Sequence, residues 1–200
     1  MYTIEKEIEY EVHIHKSRFI GNLHPVFSPE EAKDQIRQIG IKYREATHNC
    51  WAYTVGLRGE TFHSSDAGEP PGTAGKPILT ALQRSNLSNV VLIVTRYFGG
   101  VKLGIRGLIE AYRFIAEETI KKSRLKEMIL KDYWEIITDY AQADKLKHAL
   151  QEMNTEILSI DYQKEIIILA TSKASTGLAE YLQNLQNAGL LIYKLLRTDF

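Results

Sequence analysis

The chain has 200 residues, 25 Lys and Arg against 25 Asp and Glu, and 44% hydrophobic residues, which is the profile of an ordinary globular protein of one or two domains. No apolar run approaches the roughly 20 residues of a membrane-spanning helix, and the N-terminal residues contain no apolar signal core. The single cysteine, Cys50, excludes an internal disulfide and suits a reducing compartment, so we expect a cytoplasmic protein without a membrane partner.

The N-terminal residues predict two strands followed by a helix. Residues 4–14 alternate between hydrophobic and charged side chains, and residues 17–26 form a second strand. Ser28, Pro29 and Glu31 mark a helix start, because serine caps, proline suits the first helical position and Glu31 completes a capping box. We therefore expect the helix to begin at Pro29.

The next strand, residues 48–57, alternates so that His48 and Cys50 share one face. Residues two apart in a strand are separated by about 6–7 Å, which is too far for His48 to activate Cys50 as a nucleophile. We therefore interpret Cys50 as a small buried thiol.

Residues 59–75 are polar and rich in glycine and proline, and we predict a loop there. Loops of this length inside compact domains are usually functional or disordered. It is not a Walker loop, because Pro77 follows Gly75 and Lys76 where a hydroxyl residue is required. The helix that follows offers free N–H groups, which either bind an anion or are capped by Thr73 or by the acidic loop; the sequence leaves both readings open.

The segment from Val90 to Ile120 contains a strand, a glycine-rich turn and a helix. The run Val90–Val94 is unbroken and apolar, which indicates a buried strand. Arg96, two aromatic residues and four glycines follow, and glycines in such a turn allow positive φ and the close approach of another backbone. The predicted apolar stripe of the helix consists of Ile105, Leu108, Ile109, Tyr112, Ile115, Ala116 and Ile120.

Cations are concentrated between residues 71 and 116. They are Lys76, Arg84, Arg96, Lys102, Arg106 and Arg113, and the only acid in this range is Glu110. Ion pairs along the helix are predicted for the spaced residues Arg106, Glu110, Arg113 and Glu117. Arg96 and Lys102 lie outside this stripe, so ion pairs along the helix do not explain their presence. A neutral protein with one basic zone is compatible with an anionic partner.

From residue 127 onward the pattern predicts the order β-α-β-β-α-β, which is that of the ferredoxin-like split βαβ motif. This part has no glycine-rich loop, so we expect an interaction or scaffold domain. The sequence therefore predicts an α+β protein with two domains, residues 1–126 and 127–200.

Two long motifs, SDAGEPPGTAGKPIL from Ser65 and NVVLIVTRYFGGVKLGIRGLIEAY from Asn89, resemble the signature of the IMPACT/YigZ family, and the resemblance covers residues 17–125. It implies an IMPACT-type N-terminal β-α domain like domain IV of the ribosomal translocase, and a C-terminal domain like its ferredoxin-like domain V. Eukaryotic IMPACT proteins restrain a stress-responsive translation-initiation kinase by binding its activator. The translocase-like pair of domains suggests contact with RNA or the ribosome, as an analogy of fold.

The first hypothesis is a regulator of translation or of a stress response that binds RNA, the ribosome or a translation-associated protein. Arg96, Lys102 and Arg106 would contact phosphates, Tyr97 or Phe98 would stack on a base, and Lys76 would add charge. The motif residues of the two segments are Ser65, Asp66, Gly68, Glu69, Pro70, Gly72, Thr73, Gly75, Gly99, Gly100, Gly104 and Gly107.

The alternative is an enzyme that acts on a small anionic or peptide-like substrate in a cleft between residues 63–75 and the Arg96 turn. There His63, Asp66 and Glu69 would face the cations. No nucleophile–base pair and no metal-ligand spacing defines a reaction, so we name no catalytic residue and predict no metal and no cofactor. A protein-interaction module in translation control is the third hypothesis.

Overall fold

The computed structural model describes residues 1–199 and divides the chain into two compact units, Met1–Met128 and the residues from Ile129 onward. The described residues form a mixed α+β structure with five helices and three sheets. The elements of the first unit are β1 (Tyr2–Ile4), β2 (Ile8–Ile14), β3 (Ser17–Pro25), α1 (Pro29–Lys42), β4 (His48–Val55), β5 (Thr61–Ser65), α2 (Gly75–Arg84), β6 (Val90–Tyr97), α3 (Gly104–Lys122) and β7 (Leu125–Glu127). Those of the second are β8 (Lys131–Thr138), α4 (Tyr140–Glu152), β9 (Glu156–Tyr162), β10 (Ile166–Lys173), α5 (Leu178–Asn187) and β11 (Leu191–Asp199).

The first unit is built on a five-stranded antiparallel sheet with the order β2-β3-β6-β4-β5. Helices α2 and α3 pack on one face and α1 on the other. Strand β6 is central, and its residues Val90 to Val94 are all buried because alternate side chains enter the two cores. Coverage of both faces explains the unbroken apolar run of this strand.

The helix start at Pro29 is confirmed. The Ser28 hydroxyl accepts a hydrogen bond from the Glu31 N–H at 3.1 Å, and the Glu31 carboxylate accepts one from the Phe27 N–H at 2.8 Å. The cap therefore fixes where α1 begins.

The predicted loop 59–75 is wrong over Thr61–Ser65, which pair with β4 as the edge strand β5. Four of these five residues are exposed, so the strand carries no apolar alternation that the sequence could show. The loop that remains after β5 runs from Asp66 to Ala74, and we call it the acidic loop.

The predicted stripe of α3 is correct at Leu108, Tyr112 and the positions after it, which are buried. It is wrong at Ile105 and Ile109, whose exposed fractions are 67% and 37%. At this end of α3, Leu108 and Ala111 pack into the core instead. The buried stripe is therefore narrower than the spacing of apolar residues suggests.

A separate two-stranded sheet joins the two ends of the first unit. Strand β1 pairs antiparallel with β7, with Tyr2 opposite Glu127, and the Met128 N–H donates to the Met1 carbonyl oxygen at 3.0 Å. The N-terminal strand is thus held by residues about 125 positions later in the chain.

The second unit follows the order β-α-β-β-α-β, and its four antiparallel strands lie in the order β11-β8-β10-β9. Its core is formed by one face of the sheet and by α4 and α5. Asp139 caps α4 by accepting the Gln142 N–H at 2.8 Å. Across residues 1–199, no helix combines the length and the apolar character needed to cross a membrane.

Candidate functional site

The acidic loop meets the end of β6 through a buried ion pair. Arg96 Nη1 lies 2.7 Å from Glu69 Oε1, and the two side chains are only 5% and 4% exposed. Tyr112 donates its hydroxyl to the same carboxylate at 2.9 Å, and Arg96 Nη2 donates to Ser17 Oγ at 3.3 Å. The prediction that Arg96 contacts a phosphate is therefore wrong, because its charge is neutralised inside the unit.

Aromatic rings complete the burial of Arg96. Its guanidinium carbon lies 5.5 Å from the centre of the Phe19 ring and 5.4 Å from that of Phe98. The neighbouring Tyr97 is half-buried, and the Arg18 guanidinium lies 5.3 Å from its ring centre. Phe98, rather than Tyr97, is the exposed aromatic residue of the turn.

Cys50 and His48 support the acidic loop and show no arrangement for nucleophilic catalysis. Cys50 Sγ lies 2.9 Å from the Asp66 carbonyl oxygen and 3.4 Å from the Tyr112 hydroxyl. Burial raises the pKa of the Cys50 thiol to about 12, and burial likewise raises the pKa of Tyr112. The thiol is therefore protonated at neutral pH. His48 Nδ1 lies 2.9 Å from the Ala67 carbonyl oxygen, which ties β4 to the loop.

Asp66 resolves the two readings of the start of α2. Its carboxylate accepts the N–H groups of Gly72 at 2.8 Å and of Ala74 and Gly75 at 2.9 Å. Burial alone would raise the pKa of Asp66, but the three donors outweigh burial and the pKa lies below its ordinary value. The acidic loop thus caps the helix, and the anion that occupies the N-terminus is the protein's own.

The glycines of the two motifs make room for the protein's own backbone. A β-carbon at Gly99 would collide with the carbonyl group of Lys16 in the β2–β3 turn. A β-carbon at Gly75 would come within 2.8 Å of the Ser65 backbone. Close packing of neighbouring segments therefore accounts for both positions.

The other motif residues shape the turns in which they lie. The Thr73 hydroxyl donates to the Pro70 carbonyl oxygen at 2.7 Å, and Ser65 Oγ accepts the Ala67 N–H at 3.2 Å. Positive φ angles occur at Gly68, Gly72, Gly100 and Gly104, while a β-carbon at Gly107 would lie 3.1 Å from Cβ of Leu103.

The remaining predicted cations are exposed but do not converge. Lys102 lies in the turn before α3, beside a groove that also contains Glu110 and Phe114. Arg106 is 93% exposed and pairs with Glu110 at 3.0 Å. Lys76 lies on α2, where it faces a different groove.

Lys76 shares this groove with two cations that the sequence did not assign to a site. The cleft has a volume of ≈ 350 Å³, and we call it the α2–α3 groove. It is bordered by Lys76, Thr80 and Arg84 on α2 and by Ile109 and Arg113 on α3.

The predicted ion pairing of Arg113 along α3 is wrong: within residues 1–199, the Arg106–Glu110 pair is the one formed on that stripe. Also within residues 1–199, no group of three His, Cys, Asp or Glu side chains is arranged to hold a metal ion.

Comparisons with known proteins place relatives over most of the chain. The model of the Impact N-terminal domain matches residues 15–120. The IMPACT family member YvyE of Bacillus subtilis is 35% identical over 188 residues, which cover 93% of this chain and 87% of YvyE. The human Protein IMPACT is 30% identical over 92 residues, which cover 44% of this chain and 29% of that protein. A crystal structure of a hypothetical protein superposes with a TM-score of 0.66 at 26% identity, covering 98% of this chain and 97% of the other.

Proposed function

Because this chain belongs to the IMPACT family, we propose that it binds RNA, free or within the ribosome, and thereby regulates translation or a stress response. The proposal treats the first unit as the IMPACT-type domain and the second as a ferredoxin-like domain. The strand order β11-β8-β10-β9 supports the second assignment, and the resemblance to the translocase domains supports the ribosome as the source of RNA.

The observation that carries the proposal is a set of unpaired cations on one side of the first unit. Within residues 1–199, Lys76, Arg84, Lys102 and Arg113 are exposed and make no ion pair, and all lie on α2, on α3 or in the turn before it. Between residues 71 and 116 the single acid is Glu110, which is already paired with Arg106. The surface therefore carries an uncompensated positive charge, although the whole chain is neutral.

The buried Glu69–Arg96 pair removes the support for the enzymatic alternative. The acidic loop and the Arg96 turn do meet, as a cleft would require, but their charged groups neutralise each other away from solvent. Asp66 is likewise occupied by three backbone donors. The charges of Glu69, Arg96 and Asp66 are therefore not available to a substrate.

Salt-dependent RNA binding tests the proposal. Purified full-length protein should bind a fluorescent single-stranded RNA, and each neutralised phosphate should steepen the dependence of log K on log salt by about 0.7, so four cations predict a slope near −3. Sedimentation with ribosomes over the same salt range gives the second measurement. Absence of binding to both RNA and ribosomes at about 50 mM salt would refute the function.

A matched pair of variants distinguishes binding through this surface from a nonspecific effect of the protein's charge. Lys102→Gln and Arg113→Gln together should weaken binding, because both cations belong to the α2–α3 side. Lys33→Gln and Arg44→Gln remove two exposed cations in and after α1, which covers the opposite face of the sheet, and should leave binding unchanged.

A further inference from the structure

We propose that the α2–α3 groove is the site that holds single-stranded RNA, with phosphates on Lys76, Arg84 and Arg113 and a ribose hydroxyl on Thr80. The inference rests on the proposed function and adds the place, the strandedness and the sugar that the site recognises. It moves the binding site away from the glycine-rich turn, where the sequence first suggested it.

The charges of the groove come from two helices and converge on one space. Lys76, Thr80 and Arg84 follow one another at intervals of four residues, so they form a single ridge along α2. At 1.5 Å per residue the ridge extends about 12 Å between Lys76 and Arg84. Arg113 faces it from α3. This spacing suits several successive phosphates rather than one isolated ion.

The composition of the border favours a polyanion over a protein segment of mixed charge. Its members are three cations, Thr80, Ile109, Gly72 and Pro77, so none of the bordering side chains is acidic. Arginine binds phosphate through two parallel N–H groups, and its planar guanidinium also stacks on bases. Ile109, which is 37% exposed, offers an apolar surface between these charges.

The shape of the groove favours a single strand. A volume of ≈ 350 Å³ between two helices lies at the lower end of the range for ligand clefts. An A-form duplex presents its phosphates on a wide convex surface, whereas unpaired nucleotides can enter a cleft and place a base against its wall.

Thr80 supplies the group that distinguishes RNA from DNA. Its hydroxyl donates to the Lys76 carbonyl oxygen at 2.9 Å, so what remains available is an acceptor. A phosphate has no proton to donate to it at neutral pH, but a ribose 2′-hydroxyl does. We therefore expect tighter binding of RNA than of DNA of the same sequence.

The test compares Lys76→Gln/Arg84→Gln/Arg113→Gln with Lys33→Gln/Arg44→Gln/Arg58→Gln, which removes the same charge from exposed positions outside the groove. The probe is a fluorescent single-stranded RNA of mixed sequence. Loss of three phosphate contacts should reduce the slope of log K against log salt by about 2 and leave the control variant like wild type. Because all six positions are exposed, circular dichroism should show unchanged folding.

Two further measurements test which sugar the groove recognises and where the RNA lies. Thr80→Val keeps the shape of the side chain, and it should weaken RNA binding about fivefold while leaving DNA binding unchanged. Photocrosslinking of RNA containing 4-thiouridine should label peptides that contain residues 76–84 and 109–113. The crosslinks report the site even if the triple variant fails to fold.

The outcomes separate this inference from the proposed function. If wild-type protein binds neither RNA nor ribosomes, the function itself fails. If wild type binds and the groove variant binds equally well, the function stands and the groove is wrong. Equal competition by duplex RNA, by DNA of the same sequence or by polyglutamate would also overturn the inference, since each shows recognition of charge alone.

Discussion

Replacing Glu69 by glutamine should strongly destabilise the first unit, because it leaves Arg96 as a buried cation without a counter-charge. The two side chains are 4% and 5% exposed, and the joined atoms are 2.7 Å apart. Breaking such a pair from one side costs about 3–5 kcal/mol. Glutamine keeps an amide oxygen for the Tyr112 hydroxyl, so we expect a loss near the lower limit, about 3 kcal/mol.

Guanidinium unfolding followed by the fluorescence of Trp51 measures this loss in the first unit alone. The chain has two tryptophans, and Trp134→Phe removes the one in the second unit. With an m-value of about 4 kcal/mol per molar guanidinium, the loss would lower the unfolding midpoint by about 0.8 M.

An exposed pair of the same chemistry provides the control. Glu110→Gln breaks the ion pair with Arg106, in which the Glu110 side chain is 53% exposed and the Arg106 side chain 93%. This change should lower the free energy of unfolding by less than about 0.5 kcal/mol. Removing both buried charges, with Glu69→Met and Arg96→Met, should cost less than Glu69→Gln alone. If Glu69→Gln costs no more than Glu110→Gln, the acidic loop is not held by this ion pair and the reasoning is refuted.

Three other perturbations test the support of the motif segments. The folded-state pKa of Asp66 is depressed, so its contribution is complete above its unfolded pKa of about 4 and is lost as pH falls through the folded value. Asp66→Asn should cost about 1–2 kcal/mol at pH 7 and progressively less as the pH falls below about 4, measured by urea unfolding. Gly99→Ala should cost about 2 kcal/mol, or about 6 °C in Tm, because its methyl group would overlap the Lys16 backbone. Cys50 should react with a thiol reagent at pH 8 only after unfolding, since it is buried and its pKa is about 12.

Each of these three tests has its own contradicting outcome. An Asp66→Asn variant whose loss does not shrink as the pH is lowered below about 4 would show that the capping charge is irrelevant. Gly40→Ala, where the new methyl group meets nothing within 4 Å, should stabilise α1, and equal losses at Gly40 and Gly99 would remove the steric explanation. Rapid labelling of Cys50 in the folded protein would contradict its burial.

The sequence predicts local structure well wherever one residue acts on its neighbours. The cap of α1 by Ser28 and the buried strand at Val90–Val94 depend on short-range spacing, and both are confirmed. The edge strand β5 was missed, because an exposed strand needs no apolar alternation. Two motifs indicate the IMPACT family, and membership of the chain in that family is confirmed.

The candidate site was harder to predict because charge in a sequence does not reveal its partner in space. The sequence does not reveal the counter-ion of Arg96, because Glu69 lies 27 residues earlier in a loop whose path the sequence does not define. Arg84 and Arg113 were counted among the cations, yet only the packing of α2 against α3 brings them beside Lys76. Which cations are available is therefore a property of tertiary structure.

The pairing of β1 with β7 means that the first unit cannot be completed until nearly all of it has been synthesised. Tyr2 also bonds to Asn86 and Ser88, but its antiparallel partner Glu127 is synthesised last, so a nascent chain cannot form the β1–β7 sheet until β7 has cleared the exit tunnel. Both strands lie outside residues 15–120, and a fragment trimmed to that range would lack this closure.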